Sequence, residues 1–328
     1  MAERKVGTVI YRHTLSPILA IFRLAPETGR TFPEYEAGQY IALRRENCKL
    51  TKKIIGPDGQ PNYVPDIDAS GNQRRGPVAH SYSISSAPFE TLQERYLEFY
   101  VILEMHEDST PGRLTESLWQ VDPEEDNKII YFDKITGDFT LSKRVSGFQN
   151  VVLVGTGSGL APFGSIIKQL HFEATHGTGS SGRYTLLHAN RGYRELGYHE
   201  ELSAIAASQK FDFTYVASVS RPTSEDFDDP SLGKGRVNNL LRFIFDMPLK
   251  EEQELQEAST QGGDIARATA LLERTVKPKL PDHISRAELQ ERMAPERTAL
   301  MCCGNPASMA DIQYIAEANK IRFEKEDW

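Results

Sequence analysis

The sequence predicts two domains in series: an antiparallel β-barrel over residues 1–147 and an α/β domain with a parallel sheet over residues 148–328. Three observations predict this. Up to residue 141 the strong periodic signals are short strands separated by Gly-, Pro- and Asp-rich turns, the pattern of antiparallel pairing. After Gly147, strands alternate with amphipathic helices, as in parallel sheets with crossover helices. The apolar run 151–154 leads directly into Gly155-Thr156-Gly157-Ser158-Gly159 and then Ala161-Pro162, which reads as a buried strand, a tight turn and a helix start. A chain of 328 residues with 39% hydrophobic content is large enough for two cores, since domains run about 100–200 residues.

Taken in order, strands are expected at 6–11, 18–23, 39–44, 80–85, 96–103 and 128–132, with one short helix at 112–118. The boundary is placed near 142–149, where Lys143, Arg144 and Gly147 interrupt the apolar pattern. Strands at 151–154, 184–189, 213–218 and 299–303 then alternate with helices at 162–175, 198–207, 237–245 and 308–318. Two stretches are longer than either domain needs. Residues 45–77, rich in Gly, Pro, Asn and Asp, read as a loop over the barrel. Residues 246–298 read as helices at 248–258, 264–276 and 285–293, because a connection of roughly fifty residues normally carries structure of its own.

Composition excludes several classes. No apolar run of the roughly 18 residues needed to span a membrane is present. The first residues lack the apolar core of a signal peptide, so a cytoplasmic protein is expected. Three cysteines, Cys48, Cys302 and Cys303, make no disulfide framework and fall short of the four that a plant-type [2Fe–2S] cluster requires; no metal is expected. A net charge of −8 argues against nucleic-acid binding. Within this acidic chain Arg44, Arg45, Lys49, Lys52 and Lys53 face only Glu46, and Arg74 and Arg75 close the same stretch. Such a basic cluster suits electrostatic steering of an acidic partner.

The glycine turn is one of three linked segments. The others are His80-Ser81-Tyr82-Ser83-Ile84-Ser85-Ser86-Ala87-Pro88 and Cys302-Cys303-Gly304-Asn305-Pro306. In this order the three resemble the ferredoxin-NADP reductase family, and within it the bacterial ferredoxin- or flavodoxin-linked branch. That family carries Arg-x-Tyr-Ser in its first domain, and Gly-Thr-Gly-x-Gly-x-Ala-Pro followed much later by Cys-Gly in its second. The resemblance runs from about residue 5 to the end and fades in the two long stretches. It implies an FAD-binding barrel, an NADP-binding α/β domain, and an enzyme moving hydride between nicotinamide C4 and flavin N5. The implied electron partner is a ferredoxin or flavodoxin, docking near the basic cluster.

Residue roles follow from the same resemblance. On the flavin side it implies His80, Ser81, Tyr82 and Ser83, with Tyr82 flanking the ring and the Ser83 hydroxyl at N5. Period-2 alternation sends these last two to opposite faces. Tyr100 and Val101 lie along the flavin, and Gly112, Arg113, Leu114 and Thr115 match the diphosphate-binding helix start of FAD-using members. His80 stands where the family has arginine, and an imidazole offers less positive charge at neutral pH than a guanidinium. Charge neutralisation at the diphosphate is therefore expected to weaken unless Arg113 or the 112–115 helix start takes over. On the nucleotide side the implied set is Gly155, Thr156, Gly157, Gly159, Ala161 and Pro162 for the diphosphate, with Cys303 and Gly304 beside the nicotinamide. Arg191, Ser220, Arg221 and Arg236 match 2′-phosphate ligands, and no acid follows the second strand until Glu225. A 2′-phosphate calls for arginines and a free hydroxyl for a carboxylate, so NADP(H) is expected. The terminal Glu326-Asp327-Trp328 implies Trp328 as an aromatic cover over the flavin and Glu326 as a proton relay, giving Ser83, Cys303, Glu326 and Trp328 as the catalytic set. Two other readings stay open: the reductase component of an oxygenase system, and a flavin-containing electron-transfer or interaction subunit whose 246–298 helices mediate assembly.

Overall fold

The computed structural model of the chain describes residues 3–56, 59, 61–106, 110–179 and 181–326. It divides into two compact units, Met1–Asp138 and Phe139–Trp328.

The first unit contains strands β1 (Arg4–Ser16), β2 (Leu19–Ala25), β3 (Tyr40–Lys49), β4 (Thr51–Ile55), β5 (Pro61–Pro65) and β6 (Arg75–Ser83). Helix α1 (Pro88–Glu94), strand β7 (Leu97–Ile102), helix α2 (Arg113–Trp119) and strand β8 (Lys128–Thr136) follow. Six strands form an antiparallel sheet in the order β6-β3-β8-β1-β2-β7. Its two edges meet just beyond β6, where Ser85 N donates to Glu98 O at 2.8 Å and Glu98 N to Ser86 Oγ at 3.0 Å. This closes the barrel at that end. Alternate residues point inward: Ile41 and Leu43 of β3 join Phe22, Leu24, Leu97, Phe99 and Tyr131 in one core. Leu114 and Leu118 of α2, one helical turn apart, reach the same core.

Two differences from the sequence expectation arise here. Residues 45–77 are not a loop. β3 runs on to Lys49 and pairs with β6 as far as Lys49↔Arg75, while β4 and β5 make a separate hairpin. Main-chain groups in a long excursion require partners, and the Thr-Lys-Lys-Ile-Ile and Asn-Tyr-Val runs supply strand-forming residues for them. The sequence expectation had no helix at α1, which has seven residues. It is started by Pro88 and by the Glu90 carboxylate, which accepts from Ala87 N at 2.6 Å.

The second unit opens with α3 (Leu141–Arg144), β9 (Asn150–Thr156), a 3₁₀ turn (Gly157–Leu160), α4 (Ala161–Thr175), β10 (Arg183–Asn190), α5 (His199–Ser208) and β11 (Phe213–Val219). It continues with α6 (Ser224–Asp228), β12 (Gly233–Lys234), α7 (Val237–Ile244), α8 (Lys250–Gln261), α9 (Ile265–Glu273) and α10 (Arg286–Arg292). Strand β13 (Thr298–Cys303), helix α11 (Pro306–Ala318) and strand β14 (Arg322–Lys325) complete it. All neighbours in the sheet β12-β11-β10-β9-β13-β14 are parallel. The chain moves outward from β9 to β12 and then returns to the other side of β9 as β13. That reversal makes the carboxyl ends of β9 and β13 a topological switch point, where open parallel sheets bind ligands.

The unit boundary lies at 138/139, upstream of the expected 147/148: the Phe139 ring sits 5.8 Å from that of Phe163 in α4, so residues 139–147 belong with the second unit. The 246–298 segment is helical as expected and shares the second unit's core, with Leu280, Ile284, Leu289 and Met293 packed with Leu240, Leu241 and Ile244. Its return segment also covers the sheet edge through a single antiparallel bridge at Lys279. Lys234 N donates to Lys279 O at 2.8 Å and Lys279 N to Lys234 O at 3.0 Å, which satisfies the outer side of β12.

Candidate functional site

The glycine turn is built by the close approach of two chain segments. Gly155 of β9 is in register with Cys303 of β13. A Cβ placed on Gly159 would lie 2.2 Å from the Cys303 carbonyl oxygen, and one on Gly304 would lie 2.0 Å from Thr156 Oγ1. Gly304 also has φ +137 and Gly157 φ +56, which favour glycine. Asn305 N donates to Thr156 Oγ1 at 3.0 Å. Thr156, expected as a ligand contact, thus joins the 155–159 turn to the Cys303-Gly304 turn. Ala161 and Pro162 open α4 directly behind them and are buried.

Cys303 and Cys302 are both buried. Burial pushes the Cys303 thiol well up, with Glu326 and Cys302 adding to the effect, and burial pushes Cys302 up to about 12. Both are protonated thiols at neutral pH, so Cys303 offers a neutral wall and no thiolate nucleophile. Glu326 follows β14, is buried, and its N donates to Cys302 O at 3.2 Å. The structure therefore brings Glu326 beside Cys303. Trp328 lies outside the described residues.

At the carboxyl ends of β10 and β11 the chain is stitched together. Ser220 N donates to Asn190 O at 2.9 Å, and Arg221 N to Arg191 O at 2.7 Å. The Ser220 hydroxyl donates to the same Asn190 oxygen at 3.2 Å. Arg191 and Arg221 are thus neighbours, both exposed, and among the described residues neither is in an ion pair. Arg236, at the start of α7, differs: its Nη1 lies 3.3 Å from Oε1 of the buried Glu251. Sequence reasoning missed Glu251, since nothing in the α8 pattern distinguishes it from the surrounding acidic and amide side chains.

The same strands, with α5, carry a polar row, buried at His188 and Tyr215 and half-buried at His199. His188 Nδ1 lies 3.0 Å from Tyr215 Oη, which lies 3.2 Å from His199 Nδ1. Burial, reinforced by His199, pushes His188 down to about 3, so it is neutral in the folded protein near pH 7. The unfolded chain titrates near 6.5 and binds more protons between pH 3 and 6.5. The stability contribution is therefore complete above pH 6.5 and lost as pH falls toward 3, by about 1.4 kcal/mol per unit. Urea unfolding is expected to show about 2 kcal/mol of this loss between pH 7 and 5. His188→Gln should lack that component; an identical pH 7-to-5 loss in the variant would assign the acid sensitivity elsewhere.

In the barrel, the expected flavin residues lie on β6, β7 and α2. His80 and Ser81 are exposed, Tyr82 is half-buried against the barrel core, and Ser83 is buried opposite Tyr40. Among the described residues Ser83 Oγ has no hydrogen-bond partner, an arrangement that costs about 1–3 kcal/mol unless a ligand supplies the bond. Tyr100 and Val101 are buried; Val101 packs in the core, leaving its main chain as the part able to meet a ligand. Leu114 is likewise a core residue. Thr115 Oγ1 donates to Gly112 O at 3.0 Å, and a Cβ on Gly112 would come 2.7 Å from Glu104 Oε2. Arg113 is half-buried at the start of α2.

The basic cluster is largely neutralised within the chain. Arg44 pairs with Glu46 at 2.9 Å, Arg45 with Asp126, and Lys49 with Glu116 at 2.6 Å. Arg45 Nε also donates to Ser117 Oγ at 3.2 Å, so Arg45 and Lys49 bind the β3 extension to α2. Lys52 and Lys53 on β4 have no ion pair among the described residues. No described helix is long and apolar enough to cross a membrane.

Comparison with known proteins agrees with this architecture. Residues 153–256 match the oxidoreductase NAD-binding domain family. A flavohemoprotein of Halalkalibacterium halodurans is 27% identical over 222 residues, covering 67% of this chain and 44% of that protein; the chain thus spans less than half the length of this curated relative. A ferredoxin NADP+ reductase from Neisseria gonorrhoeae with bound FAD and NADP superposes with a TM-score of 0.58 at 18% identity, covering 99% of both chains. The FAD/NAD-binding domain of a Vibrio cholerae nitric oxide dioxygenase gives 0.60 at 16% identity over 99% of this chain and 98% of that one. A cytochrome P450 reductase from Amycolatopsis gives 0.57 at 18% identity over 99% of this chain and 69% of that one. Residues 153–256 thus match an oxidoreductase NAD-binding domain, and the chain as a whole has the same two-domain fold as these solved structures.

Proposed function

We propose that this protein is an FAD-dependent reductase that takes hydride from NADPH and passes electrons to a ferredoxin or flavodoxin. The observation that carries the reading is the Arg191–Arg221 pair, whose main chains are hydrogen-bonded side by side at the carboxyl edge of a parallel sheet and whose guanidiniums have no ion pair among the described residues. A bound FAD would supply hydride acceptance at N5 and release of single electrons. The chain's part is binding and orientation. Tyr82 offers an aromatic face, Ser83 a buried hydroxyl in need of a partner, and Arg113 with the 112–115 main chain a diphosphate contact in place of the family arginine. In the second unit the 155–159 turn and the start of α4 face the dinucleotide phosphates. The protonated Cys303 excludes water without competing as a nucleophile, and the Glu326 carboxylate beside it serves as a proton carrier.

The partner surface narrows to the β4–β5 hairpin. Internal ion pairs occupy Arg44, Arg45 and Lys49, and among the described residues Lys52 and Lys53 of the hairpin carry no ion pair; Arg75, whose guanidinium donates to Asn47 O at 3.1 Å, adds positive charge at the end of the same stretch. The purified protein is expected to carry FAD and to reduce a ferredoxin or flavodoxin with NADPH in preference to NADH. Lys52→Glu/Lys53→Glu should slow partner reduction about tenfold at low salt and leave dye reduction intact. FMN in place of FAD, or a preference for NADH, would overturn the reading. Unchanged partner rates in the Lys variant would move the docking site off the hairpin.

A further inference from the structure

The 246–298 segment delivers one carboxylate to the edge of the nucleotide site. The first turn of α8 docks on α7 by a reciprocal clamp: Lys250 N donates to Asn239 Oδ1 at 3.1 Å, and Asn239 Nδ2 to Glu251 Oε2 at 2.8 Å. Glu251 is only 4% exposed, and its other oxygen is 3.3 Å from Arg236 Nη1. Arg236 is itself held by its neighbour Gly235, whose N donates to Val219 O at 2.9 Å and whose O accepts from Ser218 Oγ at 2.8 Å. The far end of the segment presses on the same point: a Cβ on Gly235 would meet Val276 O and Pro278 Cα at 3.2 Å. The β11–β12 register ends at Val219↔Lys234, so Arg236 follows the end of the strand next to the one that Arg221 follows, and Arg191 follows the strand beyond that.

Three arginines therefore stand at successive strand ends, but among the described residues only Arg236 has a counter-charge. That counter-charge is buried and fixed by Asn239, so solvent screens it less than a surface carboxylate. A carboxylate this close offsets the pull of Arg236 on a second anion and itself repels a phosphate.

We propose that Glu251 is a specificity-determining residue that withholds Arg236 from the nucleotide 2′-phosphate. Arg191 and Arg221 then read the phosphate alone, and the preference for NADPH over NADH is set below what three free arginines would give. This inference rests on the proposed reading of Arg191 and Arg221 as the phosphate site. It gives the inserted helices a task at the nucleotide and makes Arg236 a reserve cation, contrary to its expected role as a ligand. Glutamine at 251 has the same size and can still accept from Asn239 while removing the charge.

The test compares wild type, Glu251→Gln, Arg236→Ala and the double variant in steady-state kinetics with NADPH and NADH, with melting temperature recorded for each. Glu251→Gln is expected to lower KM for NADPH about fivefold, as for release of one partly screened charge pair, with KM for NADH unaltered. Arg236→Ala alone should shift NADPH by less than about threefold, and in the double variant the gain should vanish. Arg236 is an exposed side chain, so its variant folds even if the α8 clamp is sensitive. A rise in KM for NADPH in Glu251→Gln, an equal change for both nucleotides, or a large loss in Arg236→Ala overturns the proposal. Arg191→Ala/Arg221→Ala, run in parallel, separates the two levels. Undiminished NADPH use there removes the phosphate site and the proposal with it. Weakened NADPH use there with an unaltered preference in Glu251→Gln removes only the role of Glu251.

Discussion

Replacing Gly159 with alanine is expected to abolish most nucleotide-driven reduction while the barrel keeps its flavin. The added Cβ would lie 2.2 Å from the Cys303 carbonyl oxygen and 2.6 Å from Gly304 Cα. Both are main-chain atoms, so no side chain can swing away to make room. The two turns would have to separate by about 1 Å, and a displacement of that size at a binding centre costs roughly 100-fold in rate. The Asn305 N to Thr156 Oγ1 bond, which spans the same gap at 3.0 Å, would lengthen with it. Overpacking of this kind also costs about 1–3 kcal/mol in stability. Dye reduction with NADPH should fall about 100-fold in kcat/KM, with flavin stoichiometry unchanged and a lowered melting temperature. Wild-type kinetics in this variant would mean that the two turns are not in contact in solution.

The Arg191→Ala/Arg221→Ala variant is expected to raise KM for NADPH about 100-fold and to leave NADH within about threefold. A hydrogen bond to a charged group contributes about 1.5–3 kcal/mol, and both guanidiniums are exposed, so the lower end applies to each. Two such losses give about 3 kcal/mol, which is the stated factor. The wild-type advantage for NADPH should shrink as salt rises, since exposed charges are screened beyond about 10 Å at 0.1 M. Equal weakening of both nucleotides would show that the pair grips the shared diphosphate and not the 2′ group.

Much of this site was legible because its signals are local. The 151–162 run shows a strand, a turn and a helix start in consecutive residues, and the structure has β9, the 3₁₀ turn and α4 there. Arg191, Arg221 and Arg236 each follow a recognisable strand or turn, so their place at strand ends was also open to reading. The fate of their charges was not. Arg236 meets Glu251 fifteen positions along the chain, across an α7–α8 junction whose packing no periodicity encodes. Arg45 and Lys49 meet Asp126 and Glu116 at separations of 81 and 67 residues, so part of a cluster that counts as strongly basic in sequence is neutralised by distant acids in the fold.

By itself, the sequence determined the two-domain order, the positions of most strands and helices, and the glycine turn. Each of these rests on propensities and periodicities that act within about ten residues. Only the tertiary structure decided that within residues 45–77 β3 and β6 lengthen the barrel while β4 and β5 form a separate hairpin, that residues 280–293 join the second core, and that Ser83 is buried with no hydrogen-bond partner for its hydroxyl among the described residues. It also decided which cations remain free. Burial and ion pairing depend on which distant segments share a surface, and that is set by closure of the barrel and by the order of strands in the parallel sheet.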